Sequence, residues 1–566
     1  MDMNAKKNIR MDRMLTFGSL LVLGTLLFLK GTILYETPDD QYIMAFLSGK
    51  FLGYTDAHAV YIKYPLAYII TLMYRGFSGC DWYATTMMIV QLLSIGWILR
   101  YLLRKQDSLV HKLICMGMFY SVFLTCWIND LLSFTYTTTA AMAAVAGVIV
   151  YGLGEERIRD FAAVVIFCVI AYNLRSAIFL MVLPICGILW LDKVSVKKQV
   201  KKQVKKQCIL VGVLVIGIAG TWCGERIAYG GADWQNYIAY NEARTELYDY
   251  HQDVFEDYGS YQDKYDQLGL TKTDSEIYVS KNLAIRDSEL FDKIEDLAEI
   301  AVEPVSIKMR LKSAVGKILI NGFLENKTMT LISGIMWMIA IGLSLVYKDK
   351  RIFVLEIAFL AMHVILWLYL GYMGRILTRV AHSMLLLQMA TAVICQYEAM
   401  AKIEKMKYLK VIYAGEILVS IMLAVVAYQS ASKINHMNQA KISSQAYNQV
   451  EQYCSEHSEN FYFADVASLA GCSYQYQFFN KNEYANFLFL GDWFANSPLY
   501  AEKLRNEGIT SVRDAILNNG NVYVIAKENE NLEYMKSISW ENASLVEIEQ
   551  LAIGEGYGIY QLVVGE

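Results

Sequence analysis

Asp39 and Asp40 stand side by side in YETPDDQY (residues 35–42), just after an apolar run from Met14 to Leu34. Thr37 suits an N-cap, Pro38 suits the first helical position, and acids in a first turn are favoured by the helix dipole. The plain expectation is therefore a helix start at a membrane surface. Adjacent helical residues point in different directions, however, so one carboxylate can cap while the other faces a cavity. A carboxylate beside an apolar wall holds its proton more tightly, which suits a general base for a hydroxyl acceptor. Next along the chain, TDAHAVYIKYPL (55–66) brings His58, Tyr61, Lys63 and Tyr64 to the same surface.

What must position these residues is a bundle of membrane helices. Of 566 residues, 55% are apolar and 19% charged, and the mean hydropathy is +0.29. Soluble domains carry about 25% charged residues. The apolar residues are gathered into runs long enough to cross a bilayer core of about 30 Å as helices. Twelve apolar segments stand at 14–34, 61–75, 82–103, 109–128, 134–153, 161–173, 176–191, 208–223, 328–347, 352–371, 380–398 and 409–428, most of full spanning length, with 61–75 and the pair around Arg175 short. The fold class is thus a polytopic α-helical membrane protein with about 11 to 13 transmembrane helices. A net charge of −4 gives no basic excess for nucleic acid; the bilayer is the partner the composition names.

Lys6, Lys7, Arg10 and Arg13 precede the first run, and no small-residue cleavage site follows it, so the sequence predicts an uncleaved anchor with a cytoplasmic N-terminus. KKQVKKQVKKQ (197–207) reads as a cytoplasmic loop facing headgroups, and KDKR (348–351) and the Lys-rich 402–410 fall on the same side. External loops are then expected at 35–60 and 225–312, with an external tail. An inside start and an outside tail need an odd number of crossings. Either 61–75 is a short in-plane or re-entrant helix, or 161–191 is one helix kinked at Arg175. The cluster Arg100, Arg104, Lys105 favours the first, because it wants 82–103 to end inside.

The domain division predicted is 1–430 for the membrane part and 431–566 for an extracytoplasmic α/β domain. FYFADV, NVYVIA and GIYQLVV read as strands, and AYNQVEQYCSE and SPLYAEKLRNEG as helices, the second closed by Gly508. Cys454 and Cys472 fit a disulfide and free thiols equally well. No CxxC or HExxH pattern occurs, so no metal ligands are assigned and no cofactor is named; metal dependence is left open.

The segments DDQYIMAFLSGKFLGYTDAHAVYIKYPLAYII and YNEARTELYDY, set after an apolar first helix, resemble the membrane glycosyltransferases of the GT-C superfamily. That superfamily includes the protein O-mannosyltransferases and the aminoarabinose transferases of lipid A. The likeness is closest to GT-C-like membrane proteins of Gram-positive bacteria, and it covers about residues 1–430. The commoner family pattern before the second helix is His-Pro-Pro-Leu or Lys-Pro-Pro-Leu, whereas Lys63-Tyr64-Pro65-Leu66 has one proline here. The resemblance implies a GT-C-type fold in a bacterial cell membrane and a polyprenyl-phosphate-linked sugar as donor. It implies a cell-envelope glycan as acceptor, and a base among Asp39 and Asp40.

A lipid-phosphate donor demands cations at the outer face. Arg375 and Arg379 in GYMGRILTRVAHS (371–383) are four apart, on one face if helical, and offer planar forks for phosphate oxygens. Headgroup anchoring is the plain alternative. Lys63 and Arg175 join them as donor-phosphate candidates, since a charge inside an apolar stretch usually faces a cavity or a partner, though Arg175 also suits a helix end. His58, Tyr64, Asn241 and Arg244 are the acceptor or sugar candidates. The last two lie in WQNYIAYNEARTELYDYHQDVFEDYG (234–259), where aromatics alternate with polar groups as on carbohydrate surfaces and on amphipathic surface helices alike. The function expected is a membrane glycosyltransferase; a lipid-linked glycan transporter or flippase, or a non-catalytic scaffold, are the alternatives.

Overall fold

The computed structural model of the chain describes residues 3–30, 33–106, 108–196, 200–302, 306–400, 435–470, 472, 474–479, 482–527, 547–553 and 556–563. The helices of the first part are α1 (Met3–Lys30), α2 (Pro38–Ser48), α3 (Tyr64–Gly76), α4 (Trp82–Leu103), α5 (Leu109–Cys126), α6 (Ile128–Leu132), α7 (Tyr136–Leu153), α8 (Ile158–Leu174), α9 (Ser176–Val196) and α10 (Val200–Ala228). The segment expected outside folds into α11 (Ala232–Tyr250), α12 (Asp253–Glu256), α13 (Tyr258–Gln267), α14 (Lys272–Ser280) and α15 (Glu289–Ala301). Then come α16 (Ile307–Lys317), a π-helical turn at Ile318–Leu324, α17 (Lys327–Tyr347), α18 (Lys350–Met373) and α19 (Thr378–Met400).

Among the described residues nine helices are long and apolar enough to cross a membrane: α1, α4, α5, α7, α9, α10, α17, α18 and α19. The chain is a polytopic helical membrane protein. At its centre α7 has every residue buried, packed by α4, α8, α9 and α19. Its Ala- and Gly-rich sequence permits this, because small residues let helix axes approach closely. At Gly152 a Cβ would come within 2.5 Å of Ile394. The threonines at the start of α7 cap it: Thr135 Oγ1 accepts from the amides of Thr137 (3.1 Å) and Thr138 (3.0 Å).

The structure bears on the crossing count. At 13 residues α3 is roughly 20 Å long, too short for a core of about 30 Å. Both of its ends lie at one end of the bundle. Arg75 Nε donates to Thr55 Oγ1 (2.8 Å), the Lys63 amide to the Asn173 carbonyl (2.8 Å), and the Asp81 amide to the Phe478 carbonyl (3.1 Å). α8 and α9 are two separate helices that pack on each other and turn at Arg175, so 161–191 is not one kinked helix. The segments 402–410 and 409–428 lie outside the described residues.

The loop expected at 197–207 needs correction. Val200–Gln207 forms the first two turns of α10. The four-residue period turns Gln203 and Gln207 inward, to Glu156 Oε1 (2.7 Å) and the Tyr151 hydroxyl (2.9 Å), and leaves Lys201, Lys202, Lys205 and Lys206 exposed. A basic run can be helical when its period matches the helix and its cations all face out.

The tail contains a five-stranded mixed sheet in the order β5 (Phe487–Phe489), β3 (Phe461–Ala464), β6 (Val522–Lys527), β8 (Tyr557–Val563), β7 (Glu547–Ile553), so the three predicted strands form. Helices occupy Asn435–Glu456 and Pro498–Asn506, with Gly508 in the left-handed region (φ 70°). This part does not stand apart from the helix bundle's loops. Asn282 Nδ2 donates to Asp465 Oδ1 (2.6 Å), and Lys503 Nζ donates to the carbonyls of Phe51 (2.8 Å) and Ala485 (2.6 Å). Gly491 passes so close to Lys281 that a Cβ there would collide with its carbonyl oxygen. Cys454 and Cys472 are buried free thiols, the latter 3.1 Å from the Tyr557 hydroxyl.

Candidate active site

A second, small sheet sets the acidic pair. β1 (Leu34–Tyr35) pairs in parallel with β2 (Ser133–Phe134) on one side and antiparallel with β4 (Tyr474–Gln475) of the tail on the other. The Glu36 amide continues this ladder to the Phe134 carbonyl (3.1 Å). α2 therefore begins against the starts of α4 and α7, and its first-turn acids diverge.

Asp40 turns inward and is fully buried. Its Oδ1 accepts from the Tyr83 hydroxyl (2.6 Å) and the Tyr136 amide (2.9 Å), and its Oδ2 from the Thr37 hydroxyl (2.8 Å). Burial pushes the carboxyl up to about 7 despite these bonds, which favour the charged form. Asp40 is committed to joining α2, α4 and α7.

Asp39, one residue earlier, has no hydrogen-bond partner among the described residues and is half-buried. Burial is the largest influence on it and Asp492 adds to the rise; the charges of Arg379, Arg244 and Arg175 oppose it, and the carboxyl settles at about 6. Acid from the first loop and guanidinium from α19 thus share one cluster. Arg175 sits at the turn between α8 and α9 with its guanidinium over the Tyr136 ring (5.6 Å). Arg379 lies in the first turn of α19, shortly after Gly374 closes α18 in the left-handed region (φ 89°). Arg244, on α11, donates to Asn241 Oδ1 (3.0 Å) and lies over Tyr248 (5.8 Å). Among the described residues none of these three guanidiniums has a carboxylate within ion-pair distance.

The other sequence candidates are engaged elsewhere. Arg375 forms an ion pair with Asp249. Lys63 Nζ pairs with Glu225 Oε1 (3.1 Å), whose Oε2 accepts from the Tyr64 amide (2.8 Å). His58 contacts Asp56 (2.8 Å) and the Ala228 carbonyl (3.2 Å), stacks on Trp234 (4.6 Å between centroids) and leans on Tyr64 (5.0 Å). His58, Lys63 and Tyr64 together fasten the start of α3 to the end of α10.

Three features escaped the sequence reading. Asp492 comes from the tail, held in the left-handed region (φ 74°), an unusual conformation for a residue other than glycine. Glu36 is exposed to solvent yet walled by protein atoms; burial and Asp130 raise its carboxyl to about 7 against Arg379 and His382. Asp130, on α6, grips His382 Nδ1 with both oxygens (3.0 and 2.9 Å). His382 was within reach of sequence reasoning, because it follows Arg379 by three residues and so shares its helix face.

Comparison with protein-family models, curated proteins and solved structures returned no match.

Proposed function

We propose that this chain is a GT-C-type membrane glycosyltransferase. It moves a sugar from a polyprenyl-phosphate donor to a hydroxyl of a cell-envelope glycan on the outer face of a bacterial cell membrane. The observation that carries the reading is one cluster in which, among the described residues, the Asp39 carboxylate has no hydrogen bond and three guanidiniums have no carboxylate within ion-pair distance. Near a protein surface an ion pair at about 4 Å is worth about 4 kcal/mol, against about 1 kcal/mol in bulk water, so unpaired arginines are a standing site for an anion. A sugar phosphodiester supplies that anion. Asp39 takes the acceptor proton as the acceptor oxygen attacks the anomeric carbon; the bond to phosphate breaks with inversion. Arg175, Arg244 and Arg379 hold the leaving phosphate, a task of positioning and charge stabilisation.

A transporter or flippase would use the same charges along a path through the bundle. The full burial of α7 beneath the cluster favours chemistry at one end instead. The test is transfer of radiolabelled sugar from polyprenyl-phosphate donors to envelope polymer by the full chain in membranes. Asp39→Asn should abolish incorporation while farnesyl phosphate still binds. Full activity in Asp39→Asn would remove the base and with it this reading.

A further inference from the structure

Base catalysis by Asp39 leaves the departing phosphate one negative charge richer. The arginines can stabilise that charge but keep their protons, so a proton for the phosphate needs another group. His382 stands one turn beyond Arg379 on α19, half-buried, with Nδ1 held by both oxygens of Asp130 (2.9 and 3.0 Å). A carboxylate fixed on Nδ1 orients the ring, leaving Nε2 to carry or release a proton. No hydrogen-bond partner in the described residues takes Nε2. The charged and titratable groups around the ring are Asp130 from α6, Glu36 from the β1–α2 link, Arg379 from its own helix and, beside Asp130, the Cys126 thiol at the end of α5. Asp130 is buried and its histidine is reachable, an arrangement suited to proton transfer more than to helix adhesion.

We infer that His382, oriented by Asp130, is the proton donor to the lipid phosphate as it leaves, acting opposite Asp39. The inference rests on the glycosyltransferase reading. The acceptor oxygen–carbon bond forms and the anomeric carbon–phosphate oxygen bond breaks. The acceptor proton goes to Asp39, the electron pair goes to the phosphate, and the Nε2 proton passes to a phosphate oxygen. Polyprenyl phosphate departs as its monoanion, leaving a neutral imidazole and a protonated Asp39. Solvent resets both, and no metal, oxidant or reductant is called for. Asp130 is a positioning residue.

The experiment follows ³¹P resonances of farnesyl phosphate bound to the full chain in nanodiscs across pH 4.5 to 8.5. An imidazolium beside the phosphate lowers its second ionisation, which lies near about 6 when free. His382→Gln should raise the bound midpoint by about one unit and weaken affinity near pH 6 about tenfold, since one unit is a factor of ten. Asp130→Asn should move the midpoint the same way by less, and it decides the matter should His382→Gln fail to fold. Binding that persists with the midpoint unmoved in these variants overturns the inference and leaves the glycosyltransferase reading standing. If farnesyl phosphate does not bind the wild-type chain, or binds equally to a chain lacking Arg175, Arg244 and Arg379, both fall.

Discussion

The two ends of the helix bundle differ in how many of their charges are matched. At the end away from the tail, cations close on acids. Arg351 grips Asp192 through Nε (2.8 Å) and Nη2 (2.5 Å) and also reaches Glu398, Arg104 bonds Glu155 (2.8 Å), and Lys112, fully buried, bonds Asp12 (2.5 Å) and the Leu103 carbonyl (2.9 Å). A cavity of about 250 Å³ opens there among Lys105, Glu155, Asp192, Lys193, Arg351 and Glu398. At the loop-covered end Arg375, Lys63 and His382 also meet acids, but among the described residues Arg175, Arg244 and Arg379 have no carboxylate within ion-pair distance and Asp39 has no hydrogen-bond donor. A cavity marks the first end and unspent charge the second. Unspent charge is the better guide, because charges that satisfy one another have no need of a ligand, while unpaired ones remain costly until a ligand arrives.

If the contrast holds, Lys112→Ala should be the most destabilising change of this set, about 3–5 kcal/mol, because it strands a buried carboxylate. Thermal unfolding in detergent would show it, with farnesyl phosphate affinity unchanged in the folded fraction. Asp39→Asn should do the reverse: sugar transfer falls at least about 100-fold for loss of a general base, while the melting temperature does not fall and, above about pH 6, rises, because the neutral amide removes a carboxylate that burial disfavours. Arg379→Gln and Arg175→Gln should each weaken farnesyl phosphate binding about tenfold by titration calorimetry, since a charge-assisted bond contributes about 1.5–3 kcal/mol. Lys63→Gln, at a position already paired, should change that affinity by less than about threefold.

The smallest effect is in pH. Asp39 carries its proton below about 6 and is free to accept one above it, so transfer by the wild-type chain should climb as pH rises through about 6. The folded chain holds this proton more tightly than the unfolded one. Acidification toward the ordinary carboxylate range therefore favours folding at this site, and the contribution is lost as pH rises through about 6. A pH–rate profile flat between 5 and 7 would break the assignment of Asp39.

Much of the architecture was legible because bilayer thickness and strand period leave strong marks. The long spans, the strands at 461–464, 522–527 and 557–563, and the helix start at Pro38 all carry such marks. The two fates of Asp39 and Asp40 were legible only as a divergence; neither caps α2, and which one is held by hydrogen bonds depended on Tyr83 and on the Tyr136 amide, fixed by packing of α4 and α7. Asp130 and His382 were hidden by distance along the chain, and Asp492 by its place in the tail. Arg375 and Arg379 looked equivalent by spacing, yet Asp249 claims one of them, and nothing in their own segment announces it. Lysines at 197–207 misled because charge pattern reports the side of the membrane and says little about helix or loop.

The pairing of β1 with β4 joins a strand near the beginning of the chain to one near its end. The ledge beneath the acidic pair is therefore unfinished while the ribosome is still threading later helices into the bilayer. The strand at Tyr474–Gln475 must dock before the first loop takes its folded shape, so a chain stopped short of it would lack one side of that small sheet.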